Sequence, residues 1–547
     1  MSQHTHSPDF DAADWHALRK RKRRTGCLLL MCSPLLLVVA LLIWMLPQVF
    51  AKPGTPRDYV AQFNERYANV PESDRAWPLI KQAVLIKYTL HGRKADTAEL
   101  PQYPTWPAWE DSIAYIDSIQ PALDLVREAS TRPMLGRLLS AEPDHEFFAA
   151  QAEAVGDRYT PAPAPVPPMV GPPLLLSVVL DELGLIRRLS KELVADAHIA
   201  ASRGQGDRVV EDLAALLNMG RLAAESETII GQLVQVAIES LALNSLSQII
   251  THHPDLFAEL HLATLDSALR TIGRGEPATD NGLTRFVPNL EYERLFFDDI
   301  LQRTYSDDGN GNGRLTLSGA RFIASGFVTT SPDASSPVHV ATMMLLAPNR
   351  QTLATQHKTI FDTQETQGRL RPWERDGAAL NALYDSISPI GRSQFSLLSQ
   401  LVPAFTSAYR TFDRIDTARD AMLTVVAIER YRLAHGAYPQ SLDVLVPSLL
   451  PGLPFDPVDG QTLRYRLTES GFVLYSLGRD GVDDLGRPST NRFAAIPHMY
   501  LQDGEDHSGD WVLHPTPYPE QKIESKTLFP VDENEDVESI DDSSQHP

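Results

Sequence analysis

Cysteine is nearly missing from these 547 residues: the chain holds two, Cys27 and Cys32, and both lie inside one apolar run. Everything downstream therefore lacks disulfides, thiolate nucleophiles and sulfur metal ligands, which excludes Cys-dependent catalysis there. Positive charge is also scarce. Lysine and arginine number 49 against 70 aspartate and glutamate residues, a formal net charge of -21. Phosphate backbones are bound by basic surfaces, so no nucleic-acid partner is expected. Motifs of the common enzyme chemistries are absent as well: there is no G-x-S-x-G elbow, no H-E-x-x-H, no G-x-x-x-x-G-K-[ST] loop and no G-x-G-x-x-G between strand and helix.

What is present begins with an uncharged apolar run at 27–50, preceded by six consecutive basic residues, Arg19, Lys20, Arg21, Lys22, Arg23 and Arg24. About 24 residues at ~1.5 Å rise cover roughly 36 Å, enough to cross a hydrocarbon core of about 30 Å with tilt. The basic cluster is expected to stay cytoplasmic and to meet anionic headgroups, which places the bulk of the chain across the membrane. The expectation is a single-pass inner-membrane protein with its N-terminus inside, a periplasmic bulk and the lipid bilayer as partner of 27–50. Val49, Phe50 and Ala51 also fit a signal-peptidase pattern, so cleavage after Ala51 is the competing reading.

Hydrophobic residues make up 43% and charged residues 22%, a composition that supports folded cores rather than disorder. The fold class expected is mainly α: a transmembrane helix, a multi-helix ectodomain and a C-terminal α+β head. Reading for organisation gives a cytoplasmic basic stub at 1–26, the anchor at 27–50 and a helical subdomain at 53–159. A proline-rich linker at 160–173 follows, since proline removes the amide donor that a helix interior needs. Residues 174–410 form a second helical domain, 411–515 the head, and 516–547 an acidic tail. Within the tail, 531–547 carries seven acidic residues and no lysine or arginine, the composition of a solvated segment. Gly204 and Gly206 break two helices between 174 and 272. No strict repeat period accompanies them, which favours an irregular bundle.

Two acidic loops carry ligand chemistry. Asp308-Gly309-Asn310-Gly311-Asn312-Gly313 offers oxygens at positions 1, 3 and 5 and glycine at 6, the spacing of an EF-hand loop, within a Gly/Asn/Asp stretch at 307–319. Position 12 is Gly319, where a bidentate carboxylate belongs. Asp308, Asn310 and Asn312 are therefore candidate calcium ligands of low charge, and a turn closed by Asx hydrogen bonds is the alternative.

The second loop belongs to the most specific signature in the chain. A long amphipathic helix at 412–435 ends at Gly436 and is followed by Gly436-Ala437-Tyr438-Pro439 and by Asp456-Pro457-Val458-Asp459-Gly460. An alternating hairpin comes next, 463–467 turning at Ser470-Gly471 into 472–476, and then Ser476-Leu477-Gly478-Arg479-Asp480-Gly481. This order resembles the globular head of the major pseudopilin of type II secretion systems, over about 100 residues. The resemblance implies a calcium loop at Asp480, with Asp483, Asp484 and Asp510 as further ligands. Four carboxylates in a glycine-rich loop are hard oxygen donors that repel one another unless a cation sits among them. The chain departs from that family in two ways: the anchor lacks the glutamate expected five residues after a processing site at Gly26, and roughly 360 residues separate anchor from head. Polymerisation into a fibre is not expected, and the whole layout also looks like membrane-anchored proteins of environmental bacteria.

The function expected is a non-catalytic, membrane-anchored binding or scaffold role with a calcium-stabilised head and an unidentified envelope protein as partner. One alternative is an envelope hydrolase using Glu291, Glu293, Asp298 and Asp299 as paired carboxylates. The other is an accessory component of a type II secretion-like apparatus.

Overall fold

Local signals decide where the helices begin. The computed structural model describes residues 43, 45–92, 103–161, 171–273, 281–324, 336–376, 382, 397–488 and 508–518. Asp58 accepts the amide of Ala61 at 2.8 Å and caps α1 (Tyr59–Asn64); Asp144 accepts that of Phe147 at 3.0 Å and caps α5 (His145–Ala154). Proline sits in the first turn of α2 (Trp77–His91) and of α4 (Gln120–Ser130), where its missing amide costs no helical bond. α3 (Trp109–Ser118) lies between them. The helical subdomain expected at 53–159 is thus interrupted by 3-10 turns at Glu65–Tyr67 and Glu72–Asp74 and by extended chain before α5.

The bundle continues with α6 (Asp181–Ser202), α7 (Gly206–Ala223), α8 (Ile229–His252) and α9 (Glu259–Leu269). Gly204, at φ +71°, ends α6 as the glycine pair suggested. Among the described residues α8 is the helix long and apolar enough to cross a membrane, with a mean hydropathy of 1.4 over its best window. In the fold it packs against α6 and α7, and 56% of that window is buried. Of the expected anchor at 27–50, only residues 43 and 45–50 are described, and they are helical; the stub at 1–26 lies outside the described residues.

α10 (Glu291–Thr304), α11 (Leu317–Phe322), α12 (Pro337–Leu346) and α13 (Arg350–Arg369) precede the long α14 (Leu397–His435). α14 starts before residue 412, and Gly436 closes it at φ +74° with its amide on Arg432 O at 2.7 Å. The head then carries one antiparallel sheet in the order β1-β2-β3, with β1 Arg464–Thr468, β2 Gly471–Ser476 and β3 Trp511–His514. Thr468 pairs with Gly471, so the hairpin turns on Glu469 and Ser470 and Gly471 opens the second strand. The described chain is mainly helical with this small sheet.

Two compact units emerge: Met1–Pro56 with Ile300–Gln356 and Ile387–Leu397, and Arg57–Asp299 with His357–Ser386 and Leu398–Pro547. The proline-rich run does not divide them. Helices on both sides of 160–173 share one core, in which Ile80, Ile116, Leu123, Ile186, Leu189 and Leu193 are fully buried. Residues 162–170 of that run and 519–547 of the tail lie outside the described residues. In the first unit, Pro53 bridges Ser306 and Tyr305 bridges Leu315, closing the glycine-rich loop against the chain before it.

Candidate functional site

The head's acidic loop grows out of the end of β2. Gly478 passes so close to Gly509 that a Cβ there would lie 1.8 Å from the Gly509 carbonyl, and Asp510 pairs with the chain at Arg487 and Pro488. This close approach gathers Asp483, Asp484 and Asp510. Asp510 is 1% exposed and takes the amides of Gly486 at 2.7 Å and Asp484 at 3.3 Å. Asp483 Oδ1 accepts from Tyr475 Oη at 3.0 Å and from the Leu485 amide at 2.9 Å. Asp484 accepts from the Gly509 amide at 3.2 Å and pairs with Arg487, whose side chain is 76% exposed. Asp480 stands apart, its carboxylate closing a turn on the Val482 amide at 3.0 Å.

Burial raises the Asp510 carboxyl above the ordinary range against the pull of its two amide donors, and the neighbouring Asp483 and Asp484 charges push the same way. A divalent cation among these oxygens would reverse that push. The donors suit calcium in kind, being oxygens only. Among the described residues, no three His, Cys, Asp or Glu side chains converge on one ligand position, because amides, a phenol and a guanidinium engage these oxygens.

In the other unit, Asp308 Oδ1 accepts the amides of Asn310 at 2.9 Å and Asn312 at 3.0 Å, the Asx closure of a turn. Asp307 pairs with Arg350 at 2.7 Å. The carbonyls of Gly311 and Gly313 accept amides of Gln351 and Arg350, which docks the loop on the start of α13. Thr316 caps α11 through the Gly319 amide at 3.0 Å. A Cβ at Gly319 would fall 2.2 Å from Thr304 O, so the loop's twelfth position has no room for a carboxylate.

The carboxylates of α10 scatter. Glu291 is exposed, whereas Glu293 is buried and accepts the Ile229 amide at 2.6 Å, at the start of α8. Asp299 is buried and accepts the Leu175 amide at 2.8 Å, far along the helix. Glu293 and Asp299 therefore serve backbone donors in different places rather than one cleft.

Sequence reasoning missed the charges inside the bundle. Arg127 bridges Asp212 at 2.8 Å and Asp196, and Arg208 holds Asp196 at 2.8 Å from the other side. Lys87 pairs with Glu192, which also accepts from Tyr115 Oη at 3.2 Å. The available signal was Asp196, set between Val194-Ala195 and Ala197 in α6; Asp212 follows the charged Glu211 in α7 and gave none. Missed too was the role of Asp456: fully buried, it accepts from the amides of Val458 and Leu477, from Ser476 Oγ and from Arg464 at 2.6 to 2.9 Å. No family model, curated protein or solved structure matches this chain.

Proposed function

We propose that this chain is a non-catalytic binding or scaffold protein of the cell envelope, anchored in the inner membrane by residues 27–50, with a calcium-stabilised pseudopilin-like head. The observation that carries the reading is the buried Asp510 beside Asp483 and Asp484, of which Asp484 pairs with the largely exposed Arg487. Calcium binding then draws Asp484 away from Arg487 and joins it to Asp510, with Asp483 and Asp480 at the edge of the loop. The order of long helix, small antiparallel sheet and acidic loop supports the pseudopilin likeness. The basic cluster before the apolar run supports the N-in topology. The scattering of the α10 carboxylates weighs against the hydrolase reading.

Thermal unfolding of the full-length protein in detergent, with calcium and with chelator, tests this. For a site of ~0.1 mM affinity, about 1 mM calcium adds about 1.4 kcal/mol by mass action. Asp484→Asn is expected to abolish that gain while keeping the fold, and Asp308→Ala to leave it intact. An unchanged midpoint with calcium overturns the calcium-stabilised head.

A further inference from the structure

The strongest site outside the head is a cleft of about 410 Å³ before α2, lined by Glu72, Arg75, Trp77, Pro78, Lys81 and Gly136. The chain around it is held by backbone pairing: the amides of Ala76 and Trp77 donate to the carbonyls of Met134 and Leu135 at 2.8 and 2.9 Å. Gly136, at φ +68°, lets the Arg75 side chain lie directly on it, since a Cβ there would stand 2.4 Å from Arg75 Cγ. Arg75 Nη2 is fixed by the carbonyls of Tyr67 and Val70 at 2.8 and 2.9 Å, and among the described residues its buried Nε has no partner.

Lys81 faces the same space. Its ammonium bonds Asp144 at 3.0 Å, which occupies one of three donors, and lies 5.9 Å over the Trp77 ring. The Arg137 guanidinium stands 5.9 Å from the same ring, and Phe147 packs on it at 6.0 Å, so the wall is held on several sides. The first turn of α2 carries no acidic residue, so no carboxylate of that turn offsets the two cations. The volume lies within the range of small-molecule clefts.

We propose that this cleft binds a small ligand through a carboxylate or phosphate group, held by the Arg75 guanidinium and Lys81 Nζ against the Trp77 wall. Glu72 opposes the bound charge from the same cleft. Its side chain bonds no described residue, so it can be changed without disturbing the fold.

Calorimetric titration of the full-length protein in detergent with succinate and with inorganic phosphate tests the site. Binding of either supports it, and the anion that binds identifies the group. Glu72→Gln is expected to tighten binding about threefold by removing a like charge. Arg75→Gln is expected to weaken it at least about tenfold. Lys358→Gln, on an exposed face of α13, should change nothing. Because Arg75→Gln also loses two bonds to carbonyls, Glu72→Gln is the variant free of a folding explanation. No heat from either anion up to about 10 mM, or an affinity indifferent to Glu72→Gln, overturns the proposal.

Discussion

At the residue scale, Asp456 shows how one side chain can organise a head. It is the first residue of Asp456-Pro457-Val458-Asp459-Gly460, and its carboxylate ties that turn to the end of β2 through Leu477 and Ser476 and to β1 through Arg464. Burial raises its carboxyl above the ordinary range although four donors surround it. Asp456→Asn keeps the shape but turns an amide NH₂ toward donors and leaves Arg464 without its buried partner. The expected cost is about 3 kcal/mol, as for other broken buried pairs, measurable by urea unfolding. Asp459→Asn, in a half-buried and partly hydrated pair with the same arginine, is expected to cost under about 1 kcal/mol. Equal losses in the two variants would show that burial of Asp456 has no special role.

At the scale of elements, legibility followed the range of the signal. The helical character of 53–159 was readable, but the individual starts fixed by Asp58, Asp144 and Pro121 were passed over, although a cap or a first-turn proline acts within four residues and is a local signal. The β1–β2 hairpin was readable from alternation. β3 was not, because Trp511–His514 is four residues long and its partner lies across a connection of more than thirty. The interior charges were illegible for a similar reason. Arg127, Asp196 and Asp212 stand on three different helices, and a charge reads as solvent-facing until its distant partner is known. Of the candidate ligands, the structure gathers Asp483, Asp484 and Asp510, sets Asp480 aside, and seats Asp308, Asn310 and Asn312 in a self-closed turn. Glycines in that turn divide sharply. Gly319→Ala drives a methyl into Thr304 O and should open the Thr316–Thr304 pairing, read as faster exchange of the Thr316 amide. Gly309→Ala meets open space at φ +72° and should cost only about 1 kcal/mol of left-handed strain.

At the scale of the whole molecule, buried titratable groups pull stability in opposite directions with pH. His198 is fully buried with neither ring nitrogen bonded, and burial drives it from 6.5 down to about 3; His514 falls to about 4 for the same reason. Their folded values lie below the unfolded one, so the unfolded chain binds protons first. Stability is lost as pH falls from about 6.5 toward those values. Glu182 and Glu293 are pushed by burial from 4.5 up to about 7. The folded state holds their protons more tightly, so their contribution is present at acid pH and is lost as pH rises from 4.5 through about 7. The two trends oppose each other between pH 4.5 and 6.5 in the stability profile. Single substitutions should tilt it. His198→Phe removes a group that has no hydrogen bond to lose, and its midpoint should exceed that of the wild type by a margin that grows from pH 6.5 to 4. Glu293→Gln keeps an acceptor for the Ile229 amide and should gain on the wild type in the other direction, from pH 5 to 7.5. Thermal midpoints across that range decide the matter, since margins that do not change with pH would place these protons outside the folding equilibrium.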